Sequence, residues 1–333
     1  MPPVPPREAR DWVRAVPRGH FAVLYTPFLE DGSVDEDGLR HNVRLTLARP
    51  GVGGLSLHSL HQEFWVMTLD ERRHVTGIAL DEVRGRAPVV VGCSDPVVAN
   101  VLALADHAAA QGASLAMVWP PYYGPRSAES VGEFYAAIAP RMPLGMVAYS
   151  TTLSELGFYL DPAQVAALLR FPALCAVQNT TLSLAAYAAM MERVGAQIAV
   201  ATSLEEYHLF GHLAFPERAP GFLIGASRPV LCQDAAHPLC GDFLTALGRG
   251  DHAAAAARAR QLLAVAERLQ SAFFARGFHH LGLFKAVAGM LGFAAGGLRP
   301  GVAAPSGAER TAARAALIAA GLLPDAGGAG AGA

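Results

Sequence analysis

The sequence is almost without lysine. Of its 26 basic side chains, 25 are arginine and one is Lys285. A chain with a single side-chain amine can form an imine only if the fold brings that amine to the reacting centre. Cysteine is scarce as well. Cys93, Cys175, Cys232 and Cys240 are scattered and form no CxxC pair, so they read as buried thiols in a reducing compartment, not as a disulfide framework. An excess of charge is missing too. The formal net charge is -2, which gives no electrostatic case for nucleic acid or an anionic membrane as partner. No stretch of ~18 apolar residues runs free of glycine, proline and charge, which argues against a membrane span. The proline-rich start lacks an apolar run after basic residues and does not read as a signal peptide. A cytoplasmic location is therefore expected. No GxGxxG follows the first candidate strand, which weakens a dinucleotide-binding reading.

What is present is a repeat. The chain is 333 residues long, 52% hydrophobic and 16% charged, enough to bury a large core. Candidate strands lie at 21–26, 54–58, 88–92, 114–119, 144–149, 174–178, 198–202 and 221–225. Helical patterns separate them at 36–47, 70–83, 96–111, 130–140, 162–169, 182–194 and 205–215. A βα unit thus recurs eight times, with strands rich in Val, Ile, Ala and Leu. This predicts a closed parallel (β/α)8 TIM barrel in preference to an open doubly wound sheet. Asp35 is placed to cap the first of these helices. The pairs Asp95-Pro96 and Asp161-Pro162 each offer an acceptor followed by proline at the first helical position. Beyond 225 the pattern turns mainly helical, at 251–275, 280–291 and 307–322. The expected organisation is a helical segment over 1–18 at the barrel bottom, the (β/α)8 barrel over 19–235, and the eighth barrel helix with a C-terminal helical extension over 236–323, the extension packed on the barrel side. The tail 324–333 is expected to be disordered.

Several stretches then fall into a recognisable order. Tyr25-Thr26-Pro27-Phe28 with Asp31-Gly32-Ser33-Val34-Asp35, the run Glu63 to Arg72, Pro120-Pro121-Tyr122-Tyr123, Tyr149, and Lys285-Ala286-Val287 leading to Gly292 and Pro300 resemble, from about 20 to about 305, the dihydrodipicolinate synthase/N-acetylneuraminate lyase family. The resemblance implies a class I lyase. Its members form a Schiff base between a strand-six lysine and a 2-oxo acid, often assemble as tetramers built from dimers, and use no metal or organic cofactor. A homodimer or homotetramer with no cofactor is expected here.

Three departures fall at the reacting centre that the resemblance implies. Gln178, in Ala176-Val177-Gln178-Asn179-Thr180, stands where the family has its imine-forming lysine. An amide lone pair is delocalised into the carbonyl and is not nucleophilic. Lys285 matches a different family lysine, on a C-terminal helix. Ser59-Leu60-His61-Gln62 replaces the family's Gly-Thr-Thr-Gly or Gly-Ser-Thr-Gly carboxylate-binding loop, losing both glycines. The family's carboxylate-binding arginine after the strand-five tyrosine is absent, and the segment from Tyr149 runs to Glu155.

Candidate site residues follow. Tyr149 matches the family's proton-transferring tyrosine, though a strand-end tyrosine can equally be a retained packing residue. Tyr123 matches a tyrosine that members lend to a neighbouring subunit's site, or is an ordinary interface aromatic. His58 and His61 could supply a new acid or base, because histidine titrates near neutrality. A metal reading would add Glu63, Glu205 or His208, but a loop does not fix side chains three apart on one face, and no metal is assigned. Gln178, Asn179 and Thr180 are expected at the barrel mouth. Ser59, Ser227 and Glu205 complete the substrate-binding candidates, although Glu205 also suits the first turn of a helix. His279 and His280 read as a solvated or packing pair.

Three functions compete. The first is a lyase-like enzyme acting on a small carbonyl compound by general acid/base catalysis without a Schiff base. The second is a non-catalytic relative, binding a ligand or serving in a hetero-oligomer. The third, a pyruvate-dependent aldolase, is the least compatible with one lysine.

Overall fold

The structure, a computed structural model, describes residues 3–124, 126–152, 158–273 and 279–325. Eight strands form one parallel sheet: β1 (Gly19–Val23), β2 (Val52–Leu57), β3 (Val89–Gly92), β4 (Leu115–Val118), β5 (Gly145–Thr151), β6 (Leu174–Thr180), β7 (Ala199–Ala201) and β8 (Phe222–Ala226). Each strand pairs with its sequence neighbour from β1 to β7, and β8 returns to β1. Between β7 and β8 the amide of Ile224 donates to the carbonyl of Thr202 at 3.0 Å. The sheet thus curls into the expected (β/α)8 TIM barrel, nearly closed where β7 meets β8.

Ahead of β7 lie the helices α1 (Ala9–Ala15), α2 (Glu36–Leu47), α3 (Leu69–Val83), α4 (Val98–Ala110), α5 (Ala128–Ile138), α6 (Pro162–Leu168) and α7 (Leu184–Val194). After β7 come α8 (Glu205–Ala214), α9 (Arg228–Leu231), α10 (Leu239–Gly248), α11 (His252–Phe273), α12 (Leu281–Met290) and α13 (Gly307–Ala319). Asp35 caps α2 by accepting from Gly38 N, and Asp161 caps α6 with Pro162 in the first turn. The α4 start differs from expectation. Asp95 accepts from Val97 N and from the Asn100 side chain, so Asp95-Pro96 makes a turn ahead of a helix that begins at Val98.

Alternation along the strands sorts two cores. Leu55, Leu57, Met146, Ala148 and Val177 face the surrounding helices. Phe21, Leu115, Val147, Cys175 and Phe222 fill the barrel interior, where Val4, Ala9 and Val13 of the N-terminal segment join them. Arg10 fixes that segment by donating to the carbonyls of Leu169, Phe171 and Leu174. β5 and β6 run two residues beyond the apolar pattern, because Ser150 pairs with Asn179 and Thr151 with Thr180. Backbone pairing is indifferent to the polarity of these side chains.

A third core joins α9 to α13 with Tyr25. Arg299 ties the extension to the barrel loops. It donates to the carbonyls of Gly32 and Val66 and pairs with Glu71. That pairing holds the Glu71 carboxyl at about 2. All four cysteines are buried and unpaired. No helix among the described residues is long and apolar enough to cross a membrane. The tail 326–333 and Glu155 lie outside the described residues.

Candidate active site

A cavity of about 340 Å³ opens at the C-terminal ends of the strands. Its floor comes from Met117 and Trp119 at β4, Tyr149 on β5, Gln178 and Thr180 on β6, and Gly225 on β8. Ser59, Leu60 and His61 follow β2, Ser203 and Leu204 follow β7, and Ser227 and Arg228 follow β8. The remaining wall belongs to the extension: Leu231, Cys232, Ala266, Leu269, Phe273 and Phe284, with His279 beside them. The extension therefore does more than pack on the barrel side.

Tyr149 and Gln178 are register partners on adjacent strands. The Tyr149 ring stacks on Trp119, with centroids 4.4 Å apart and planes 14° apart. The Gln178 amide donates to Thr180 Oγ1 at 3.3 Å and packs directly on Gly225. A Cβ at position 225 would collide with that amide, and Gly225 has φ +75°. Glycine suits the backbone conformation there, and an added Cβ would also have to push the end of the Gln178 side chain aside.

His61 lines the cavity, packed edge-on to Tyr25 and Phe284. Burial, with a smaller push from His279, lowers its pKa to about 3. The shift favours the neutral imidazole over one titrating near neutrality. A neutral imidazole can still donate a hydrogen bond to a carbonyl oxygen. Ser59 and Ser227 line the cavity, and the Ser59 hydroxyl is buried without a hydrogen-bond partner.

Four expected residues lie elsewhere. Alternation along β2 would send His58 inward, but its φ of 50° turns the ring outward onto α3, where Nε2 meets Thr76 Oγ1 at 2.8 Å. Burial drives its pKa to about 3. Asn179 follows Gln178 by one residue and faces away from the cavity, fully buried. Tyr123 is 85% exposed and does not line the cavity. Glu205 is wholly buried behind the wall. His20 Nε2 lies 2.9 Å from its Oε1, and Arg228 pairs with it and with Glu206. Burial alone would raise the Glu205 carboxyl, but Arg228 and His20 hold it at about 2. It is the counter-ion of a buried arginine and does not reach the cavity.

Among the described residues one group could hold a metal, His20, Glu205 and Cys240, with ligand atoms within 4.8 Å of one another. Arg228 already neutralises that carboxylate, which disfavours a cation there. The histidine and glutamate set weighed from the sequence is not brought together. Lys285 is not in the cavity lining. Its Nζ lies 3.3 Å from Glu63 Oε2, donates to Gly297 O at 2.8 Å and sits 4.5 Å from the Phe28 ring centre. Burial lowers its pKa.

Sequence reasoning missed Trp119, Ser203, Gly225 and the whole wall from α9, α11 and α12. Trp119 and Ser203 had a usable signal, since each lies at or just past the end of a strand. His279, read as a solvated or packing residue, also reaches the cavity.

An eight-stranded parallel barrel with its cavity at the carboxyl ends of the strands defines a (β/α)8-barrel protein whose cavity lies where such barrels carry their sites. A model of the Dihydrodipicolinate synthetase family matches residues 16–319, and the chain belongs to that family. The 4-hydroxy-tetrahydrodipicolinate synthase of Methanothrix thermoacetophila is 30% identical over 175 residues, 53% of this chain; the chain spans 58% of that protein's length. YagE of E. coli K12, a prophage protein of the dihydrodipicolinic acid synthase family solved in complex with pyruvate, superposes with a TM-score of 0.78 and 22% identity over 93% of this chain and all of its own. The dihydrodipicolinate synthase of Thermotoga maritima gives 0.79 and 21% over 92% and 99%. At these identities the structural likeness speaks for the fold.

Proposed function

We propose that this protein is a lyase-like member of the family that acts on a small carbonyl compound without a Schiff base. The observation that carries this is the placement of Gln178. Its amide sits at the barrel mouth beside Tyr149, in the place that the family resemblance gives to the imine-forming lysine, while the one lysine is held by Glu63 and Gly297. Tyr149 is the proton donor to a carbonyl oxygen as charge develops on it, and neutral His61 and Gln178 add hydrogen bonds to the same oxygen or its neighbour. Ser59 and Ser227 are further substrate contacts. The reaction is C–C cleavage or formation, or hydration or dehydration next to the carbonyl. The protein is a homodimer or homotetramer, and Tyr123 belongs to the surface between subunits.

Borohydride reduction in the presence of pyruvate tests the mechanism. The intact mass is expected to stay unchanged, and a gain of one reduced pyruvate unit would restore the ordinary aldolase reading. A non-catalytic, ligand-binding relative is the second reading. It is favoured by the low pKa of His61 and by a Cys232 thiol that burial pushes up to about 12, which leave neither group as a strong base or nucleophile. A panel of aldehydes and ketones separates the two. Turnover that falls by about 100-fold or more in Tyr149→Phe supports the enzyme; binding without turnover supports the second reading.

A further inference from the structure

We infer that the cavity takes an uncharged aromatic carbonyl compound, its ring lying against the wall that the C-terminal helices supply. The inference rests on the reading above only for where the carbonyl sits. The ring site follows from the lining itself. Leu231, Leu269, Phe273 and Phe284 form one side, and Met117 and Trp119 lie across the floor. Phe273 and Phe284 stack with centroids 3.7 Å apart and planes 21° apart, and the His61 edge braces Phe284 at 5.3 Å. A flat, braced aromatic surface suits a planar ligand.

Charge sets the second limit. Among the described residues the cavity lining contains no lysine, aspartate or glutamate, and its one guanidinium, Arg228, already faces Glu205 and Glu206. A carboxylate meeting only these described groups would lose its hydration and find a guanidinium already shared by two carboxylates. The remaining polar side chains of the lining are hydroxyls, an amide, a thiol and imidazoles. Tyr149, Gln178 and Thr180 cluster on two neighbouring strands, with the unpartnered Ser59 hydroxyl at another point of the lining. The matching ligand has one neutral polar end and an apolar body. The volume of about 340 Å³ lies at the small end of the usual range for small-molecule sites, roughly 300–1,000 Å³.

Equilibrium dialysis of the full chain against four probes tests this: 2-acetylnaphthalene, 2-ethylnaphthalene, 2-naphthoate and pyruvate. The ketone is expected to bind at least about tenfold more tightly than the naphthoate, which has the same ring and a charge. Pyruvate is expected not to displace it. Ala266→Trp, which fills the wall, is expected to weaken the ketone about tenfold with the circular dichroism melt preserved. Should that variant not fold, Ala266→Leu serves, with about a threefold loss expected. Naphthoate binding as tightly as the ketone, or ketone binding unchanged in the folded wall variant, would overturn the inference. The ethyl compound isolates the carbonyl. Equal binding of ketone and ethyl compound would leave the ring site standing and remove the proposed carbonyl chemistry. A ketone preference lost in Tyr149→Phe would support both.

Discussion

At the scale of single residues, the site depends on which way a side chain turns at a strand end. Tyr149 and Gln178 keep the alternation of their strands and arrive in the cavity. Asn179 keeps it too and is sent out by one residue. His58 breaks it, because a left-handed backbone at φ 50° reverses the outcome. Parity was legible in the sequence for β5 and β6; the local backbone twist at His58 was not, since no proline or glycine marks it. Gly225 is the sharpest dependence. Gly225→Ala places a Cβ in a left-handed residue and into the Gln178 amide. A stability loss of about 2–4 kcal/mol is expected in urea unfolding. A loss below about 1 kcal/mol would mean that the amide moves aside without cost.

At the scale of elements, helix starts were read well where a capping side chain and a hydrophobic pattern agree, as at Asp35 and Asp161. The capping box of α3, Thr68 with Glu71, has an added duty that no local pattern announces. Glu71 also receives Arg299 from 228 residues away, so one carboxylate both caps a barrel helix and anchors the extension. Glu71→Ala is expected to cost about 2 kcal/mol, combining a lost cap contact with a lost charge-assisted pair. Glu71→Gln, which retains an acceptor for the cap, is expected to lose about half of that. Equal losses from the two variants, measured by chemical denaturation, would assign the whole effect to the ion pair.

At the scale of the molecule, buried histidines and ion-paired acids make the fold sensitive to acid. His58 and His61 stay neutral in the folded protein down to about pH 3, whereas in the unfolded chain they take up protons near pH 6.5. The unfolded state therefore binds more protons below that point. Their contribution is complete above about pH 6.5 and is lost as pH falls from there toward 3. Glu205 and Glu71, both held at about 2, act in the same direction at lower pH. Their stabilisation is present above about 4.5 and declines from there toward 2. Each of these two histidines, His58 buried and His61 half-buried in the cavity wall, is expected to steepen the slope by up to about 1.4 kcal/mol per pH unit. Urea midpoints at pH 7.5, 6 and 5 measure it. His58→Asn, an exchange that suits the left-handed backbone, should make the profile shallower. An identical slope in this variant would show that His58 is not held neutral.

The sequence alone determined the barrel, because eight repeats of an apolar strand and an amphipathic helix can bury their faces in few other ways. It also determined that imine chemistry has one possible side-chain amine in the whole chain. Only the tertiary structure decided where that amine goes and what encloses the mouth. Lys285 is drawn to Glu63, distant in sequence, and α11 and α12 close a cavity whose other walls are strand ends spread along the whole barrel sequence. Periodicity reports which face of an element is buried. It carries no information about which distant element buries it, because that choice is made by packing between surfaces that meet only once the chain has folded.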